Sequence, residues 1–369
     1  MSFRQIAVKV GMDAMTNQRS TATTDPPKAA LNEEGAVLDA LRSDDREAFA
    51  ALCERYRRQL HVHCYRMLGS VDDADDLVQE TFMKAWQARR SFEGRSLFRT
   101  WLYRIATNAC LDAVARRPRR VMPQDVFPPV TGLVTDFPPP VDLPWLQPYP
   151  DRLLELPAAP ADQPEELAVT KETMELAFIA AIQHLPPRQR AVFILRGVLG
   201  WPARETGSLL EMSVPSVNSA LQRARARLRT KLPERRSEWA RSTEISDEER
   251  ELLRRYIEAS GASDPDAFTA LLRDDVRMTM PPIPIWWDGR ESVAEINVWF
   301  LREGRFDLRA VPTVVNRQPA AAFYIREAGD SAFRLTALDV LRIEDGGIAS
   351  IDVFDAQKVP GLGLPPILA

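Results

Sequence analysis

Arginines occupy every second position at Arg223, Arg225, Arg227 and Arg229 within SVPSVNSALQRARARLRTK, residues 213–231. Such a cluster suits phosphate oxygens, which give salt-dependent affinity without sequence information. The chain as a whole carries a net charge of −4, so this is a local patch on an acidic protein, and local patches decide nucleic-acid binding. A second stretch, FRTWLYRIATNACLDAVARR, interleaves Phe98, Trp101 and Tyr103 with Arg99, Arg104, Arg116 and Arg117. Aromatic faces beside cations are what unstacked bases and their phosphates need, although aromatics at helical spacing also build ordinary cores.

Helices must hold these groups. With Ser213 as N-cap and Pro215 in the first turn, Val217, Leu221, Ala224 and Leu228 share one packing face. Asn218, Ser219, Gln222 and Arg223 lie opposite, with Arg225 and Arg229 on the flank. PARETGSLLEM forms a shorter helix upstream, and the pair reads as a helix-turn-helix whose second helix enters the major groove. A solvated helix with arginines favoured for helicity fits the same residues. Glu211 stands at the turn position often taken by glycine. Earlier, Leu77, Val78, Thr81, Phe82, Ala85 and Trp86 line one face of a helix, leaving Asp75, Asp76, Gln79, Glu80 and Met83 largely elsewhere. Acidic residues near Asp72 suit the positive end of that helix.

Other chemistry is excluded more readily. HVHC, with Cys53 upstream, suggests a metal site, but His61 and His63 are two apart on a helix and diverge, so packing is expected. No Gly-rich phosphate loop, zinc-finger spacing or nucleophile elbow occurs, and neither metal nor cofactor is implied. Three cysteines make no disulfide framework. No apolar run reaches bilayer length and no secretion signal opens the chain, so no membrane partner and a cytoplasmic location are expected.

The 369 residues predict two or three cores. Residues 1–34 read as a mobile tail and residues 35–117 as helical. Between Pro118 and Pro164 lie 13 prolines, a density that excludes a folded core and predicts a semi-extended linker. Helical patterning returns over 165–236. Residues 247–369 place helices before strand-like runs, the order of an α+β domain.

DADDLVQETFMKAW, FEGRSLFRTWLYRIATNACLD and LPPRQRAVFILRGVLGWPARETGSLLEMSVPSVNSALQRARARLR occur in that order. Together they resemble domains 2 and 4 of bacterial sigma-70-type factors of the extracytoplasmic-function group. The resemblance implies a multidomain, non-enzymatic subunit: a helical domain 2, a helix-turn-helix domain 4, and core RNA polymerase and promoter DNA as partners. By position it assigns Asp76, Gln79 and Glu80 to docking on the beta-prime clamp helices, while domain 4 meets the beta flap. Phe92, Phe98, Trp101, Tyr103, Arg104 and Asn108 fall in the part that melts and reads the −10 element. Ser216, Asn218, Ser219, Gln222, Arg223, Arg225 and Arg229 fall in the −35 reader. The Pro-rich segment stands for the interdomain linker.

Residues 247–369 resemble the SnoaL-like domains appended to some of these factors, a cone in which a curved sheet wraps a pocket. Trp286, Trp287 and Phe323 are the expected pocket lining for a small apolar ligand. Asp352 is the carboxylate assigned to it, with Asp355 on the same predicted last strand and Asp339 on the one before it. A regulatory role is expected of this domain; a SnoaL-like enzyme fused to sigma-like domains and a stand-alone helix-turn-helix regulator are the alternatives.

Overall fold

The computed structural model describes residues 41, 45–94, 96–134, 136–154, 171–230, 244–300 and 306–368. The expected tail at 1–34 and the linker's end at 155–164 lie outside the described residues.

The first helical unit comprises α1 (Arg46–Glu54), α2 (Arg57–Leu68), α3 (Val71–Ala88) and α4 (Phe98–Arg116). Asp45 caps α1 through Glu47 N and Ala48 N, and Ser70 caps α3 through Asp73 N, satisfying donors with no partner inside the helix. Every residue of α2 from Gln59 to Leu68 is buried, as expected for a helix covered on all sides. Its polar side chains find partners outside the helix. His61 Nδ1 pairs with Tyr149 Oη at 2.9 Å, His63 Nε2 with Thr107 Oγ1 at 2.9 Å, and Arg66 donates to Thr173 O and Oγ1. Burial drives the His61 imidazole down to about 4 and that of His63 to about 3, so both sit neutral in the core.

The second helical unit holds α5 (Leu176–Gln183), then α6 (Pro187–Val192) running into a π-turn at Phe193–Val198, α7 (Ala203–Leu210) and α8 (Val214–Arg229). It packs directly on the first. Gln183 Nε2 donates to Arg66 O at 3.1 Å, and the buried Arg190 donates to Met67 O, Gln183 Oε1 and Gln183 O.

The proline-rich segment departs from expectation. It is extended, as its prolines require, yet it is no free spacer: Met122, Leu146, Tyr149 and Leu154 are buried in the same core as the helices. Gln147 reaches the start of α3, where its Oε1 accepts from Ser70 Oγ and Val71 N at 2.8 Å each. Arg117 and Arg120 pair with Asp73. Burial would raise the Asp73 carboxyl, but these two guanidiniums hold it below the usual range. Gly69, left-handed at the end of α2, leaves room for this strap; a Cβ there would come within 2.7 Å of Leu146 Cδ1. Proline density limits regular structure here to short 3-10 turns at Pro123–Asp125 and Asp151–Leu154 and isolated bridges; it does not prevent apolar residues between the prolines from docking.

The C-terminal domain has α9 (Asp247–Gly261), α10 (Pro265–Thr269) and α11 (Arg290–Phe300) against a curved sheet. Its strands are β1 (Leu272–Thr279), β2 (Trp286–Asp288), β3 (Asp307–Val315), β4 (Gln318–Arg326), β5 (Phe333–Glu344), β6 (Gly347–Asp355) and β7 (Ile367–Leu368). The order is β2-β1-β6-β5-β4-β3, with β7 pairing the start of β5; only β1 and β6 run parallel. Strand alternation divides the sheet residues between two cores. Ala321, Phe323, Leu341, Ile351 and Val353 face inward with Tyr256 and Trp287. Ala320, Ala322, Tyr324, Leu338, Val340 and Phe354 join the core of the helical units.

Candidate nucleic-acid interface

Helix α8 presents the face that the periodicity predicts. Val217, Ala220, Leu221, Ala224 and Leu228 are buried, whereas Ser216, Asn218, Ser219, Gln222, Arg223, Arg225 and Arg229 are all exposed. Ser213 caps the helix by accepting from Ser216 N at 3.3 Å. Partial burial, with the charges of Arg196 and Arg229 beside it, lowers the Arg225 guanidinium, a sign of how densely positive charge is gathered here. The turn before the helix is built from two residues. Glu211 adopts φ 56°, ψ 46°, the left-handed region in which a glycine would be unstrained. Gly207 is the position that does require glycine: its added Cβ would meet Met212 O at 2.6 Å and Val217 Cγ2 at 3.6 Å. Sequence reading fixed on Glu211 and missed Gly207, whose constraint is a tertiary approach.

On α3, Asp76, Gln79 and Met83 are exposed and Glu80 is half-buried, paired with Lys84 at 2.6 Å. Their spacing of three and four residues makes one continuous stripe, and Met83, 56% exposed, is the apolar residue at its C-terminal end.

The aromatic-basic helix α4 divides its candidates. Trp101, Arg104 and Asn108 form a surface stripe, with Trp101 half-buried and the other two exposed. Phe92 joins it, its ring 5.2 Å from that of Trp101. Phe98 and Tyr103 do not: they are 3% and 1% exposed. Phe98 supports Phe92 and Trp101 from below at 5.9 and 5.6 Å. Tyr103 packs on His63 at 5.0 Å and on Trp201 of the second helical unit at 5.1 Å. Neither can stack on a base without unpacking. Trp201 was not singled out by sequence; Arg99 lies 5.3 Å over its ring, and Arg104 reaches Glu211 at 3.5 Å. The two helical units therefore meet at α4.

In the C-terminal domain the expected pocket residues separate. Trp286 and Trp287 are adjacent on β2 and point to opposite faces. Trp287 lies in the inner core with Phe323, while Trp286 Nε1 donates to Phe127 O of the strap at 2.8 Å. Asp352 pairs in register with Val340 on the outer face, and Thr279 Oγ1 donates to its Oδ1 at 2.8 Å. Its carboxyl is raised by burial, but it does not belong to the interior of the cone. The inward carboxylate is Asp339, which accepts from Tyr256 Oη at 2.6 Å and is pushed up to about 7 by burial. Among the described residues no cluster of His, Cys, Asp or Glu is arranged to hold a metal ion, and no helix is long and apolar enough to cross a membrane.

Family comparisons agree with this division. Residues 52–120 match the sigma-70 region 2 model, residues 175–228 the sigma-70 region 4 model, and residues 253–351 the SnoaL-like domain model. SigW of Bacillus subtilis, an ECF RNA polymerase sigma factor, is 29% identical over 53% of this chain and 94% of its own. The fold resembles the crystal structure of the extracytoplasmic function sigma factor SigJ of Mycobacterium tuberculosis (TM-score 0.54, 20% identity, 86% of this chain and 100% of that one). The ECF RNA polymerase sigma factor SigG of M. tuberculosis is 40% identical over 92% of this chain and 89% of its own length. With its two sigma regions in order and a SnoaL-like domain behind them, the chain belongs to the extracytoplasmic-function RNA polymerase sigma factors.

Proposed function

We propose that this sigma factor brings core RNA polymerase to its promoters through four surfaces. The α3 stripe of Asp76, Gln79, Glu80 and Met83 docks on the beta-prime clamp helices, and the second helical unit meets the beta flap. Trp101, Arg104, Asn108 and Phe92 melt and read the −10 element. Helix α8 reads the −35 element in the major groove, in the cytoplasm where the polymerase works. The observation that carries this reading is α8, where every candidate base or phosphate contact is exposed and every apolar partner is buried.

Run-off transcription with core polymerase tests it. Output from cognate promoters is expected, and no promoter-specific transcript from any member of a promoter library would overturn it. Trp101→Ala should lower open-complex yield roughly tenfold, since a stacked base is worth ~1–3 kcal/mol, and Asn108→Ala should lower it by removing a hydrogen-bonding contact, while core binding stays unchanged. Permanganate footprinting reads the opened strand directly. On α8, Arg223→Ala should change the ranking of −35 sequences, because a bidentate base contact discriminates by ~1–3 kcal/mol. Arg229→Ala should weaken all sequences alike and reduce the salt slope by about one. Equal, uniform losses in both variants would mean that α8 lies in the groove in another orientation.

We read the C-terminal cone as a regulatory module with no catalytic role. Its β3–β4 hairpin is wedged against both helical units, which supports control over their arrangement.

A further inference from the structure

The strap crosses the C-terminal domain as a pinned loop. Trp286 Nε1 donates to Phe127 O, and Val130 N donates to Trp286 O at 2.8 Å; further on, Val141 N donates to Pro282 O at 3.1 Å. Between the pins the loop carries two large apolar residues. Leu133 is left 44% exposed, whereas Phe137 is turned inward onto the cone's core. Its ring stacks on Phe300 at 5.7 Å and 29°, and lies 5.7 Å from Trp299 and 6.4 Å from Trp287. Three aromatic rings from β2 and α11 thus cage one ring from a distant part of the chain.

Two polar atoms beside this cage are buried without a hydrogen-bond partner: Trp287 Nε1, on a residue 0% exposed, and Asn297 Oδ1, on a residue 8% exposed. Asn297 lies one turn before Phe300 on the same face of α11. One is a donor and the other an acceptor, and leaving either dry costs free energy that a ligand hydroxyl could recover. An all-carbon ring such as that of Phe137 satisfies neither.

We propose that this cage is a binding site for a small planar aromatic molecule bearing a hydroxyl group, and that Phe137 is the chain's own occupant, displaced when the ligand enters. The ring replaces that of Phe137, and the hydroxyl accepts from Trp287 Nε1 or donates to Asn297 Oδ1. Displacement frees the strap between Phe127 and Val141, which joins the two promoter-reading units. A ligand can shift such an equilibrium only through unequal affinity for the two states, and here the inequality is steric, because one cage holds one ring. That consequence rests on the cone being regulatory; the binding itself does not.

Calorimetry with the full chain and 2-naphthol as probe tests the proposal without polymerase, so its failure would leave the promoter-selection reading untouched. Competition by Phe137 reduces apparent affinity by the fraction of open cage, so Phe137→Ala should bind roughly tenfold tighter than the original chain, about 1.4 kcal/mol. Trp299→Ala should abolish the signal. In the unmutated chain, saturating probe should accelerate hydrogen exchange at the amides of Val130 and Val141. Equal affinity with and without the Phe137 ring, no binding to either protein, or unchanged exchange at both amides would each overturn it.

Discussion

Replacing Asn316 by alanine should cost roughly 3–5 kcal/mol of stability, because one side chain ties three parts of the molecule together. Asn316 sits at the β3–β4 turn, fully buried. Its Oδ1 accepts from Tyr149 N of the strap at 2.6 Å. Its Nδ2 donates to Tyr65 Oη of α2 at 2.9 Å and to Met174 O, just before α5, at 2.6 Å. Beside it, Gln318 Oε1 accepts from Leu176 N, and Arg317 pairs with Asp151. Alanine would leave Tyr149 N and Met174 O buried without these partners, each at ~1–3 kcal/mol. It would also sit at φ 55°, which asparagine tolerates better than most residues. Asn316→Gly separates the two effects, since it keeps the backbone freedom and loses the amide. It should recover about 1 kcal/mol of the loss and no more. Denaturant midpoints of the full chain measure both. In run-off assays at matched polymerase occupancy, Asn316→Ala should change transcript yield and leave promoter ranking intact. A midpoint shift equivalent to less than about 1 kcal/mol would show that the hairpin does not fasten the units together.

The second large effect is a pH dependence carried by Asp339. In the unfolded chain its carboxyl releases its proton near the usual value of about 4; in the folded cone it holds the proton up to about 7. Between those limits the folded state binds the extra proton, so this group's contribution to stability is complete below pH 4 and declines as pH rises to 7. At about 1.4 kcal/mol per pH unit the loss approaches ~4 kcal/mol. His61 and His63 act oppositely, because their folded values lie below the usual histidine range and stability therefore falls as pH drops below about 6.5. The whole-protein profile mixes these slopes, so the contrast with Asp339→Asn isolates the carboxyl. Asparagine keeps an acceptor for Tyr256 Oη and has no proton to lose. The variant's stability relative to the original chain should climb from pH 4 to pH 7 by roughly 3–4 kcal/mol and then level off. A difference that stays constant across this range would mean that Asp339 ionises normally in the fold.

Periodicity alone delivered much of this molecule. The buried and exposed faces of α8 follow from Val217, Leu221, Ala224 and Leu228, because a helix repeats every 3.6 residues whatever it packs against. The helices-then-strands order of residues 247–369 was legible for the same reason, since alternation at period two marks β3 to β6 before any pairing is known. The three resembling segments carried the family assignment. Contacts between distant residues were not legible. Phe98 and Tyr103 carry the same aromatic signal as Trp101, yet only folded neighbours, Tyr56 beside Phe98 and Trp201 against Tyr103, determine which rings are covered. Asp339 and Asp352 alternate within similar apolar runs, and the side of the sheet that closes into the cone is set by α9 and α11 packing on it. The proline-rich strap shows the limit most plainly. Its sequence specifies an extended backbone through the fixed φ of proline, but the burial of Leu146 and Tyr149 and the inward packing of Phe137 depend on surfaces contributed from elsewhere in the chain. Local composition determines backbone shape; only the tertiary structure decides what that shape lies against.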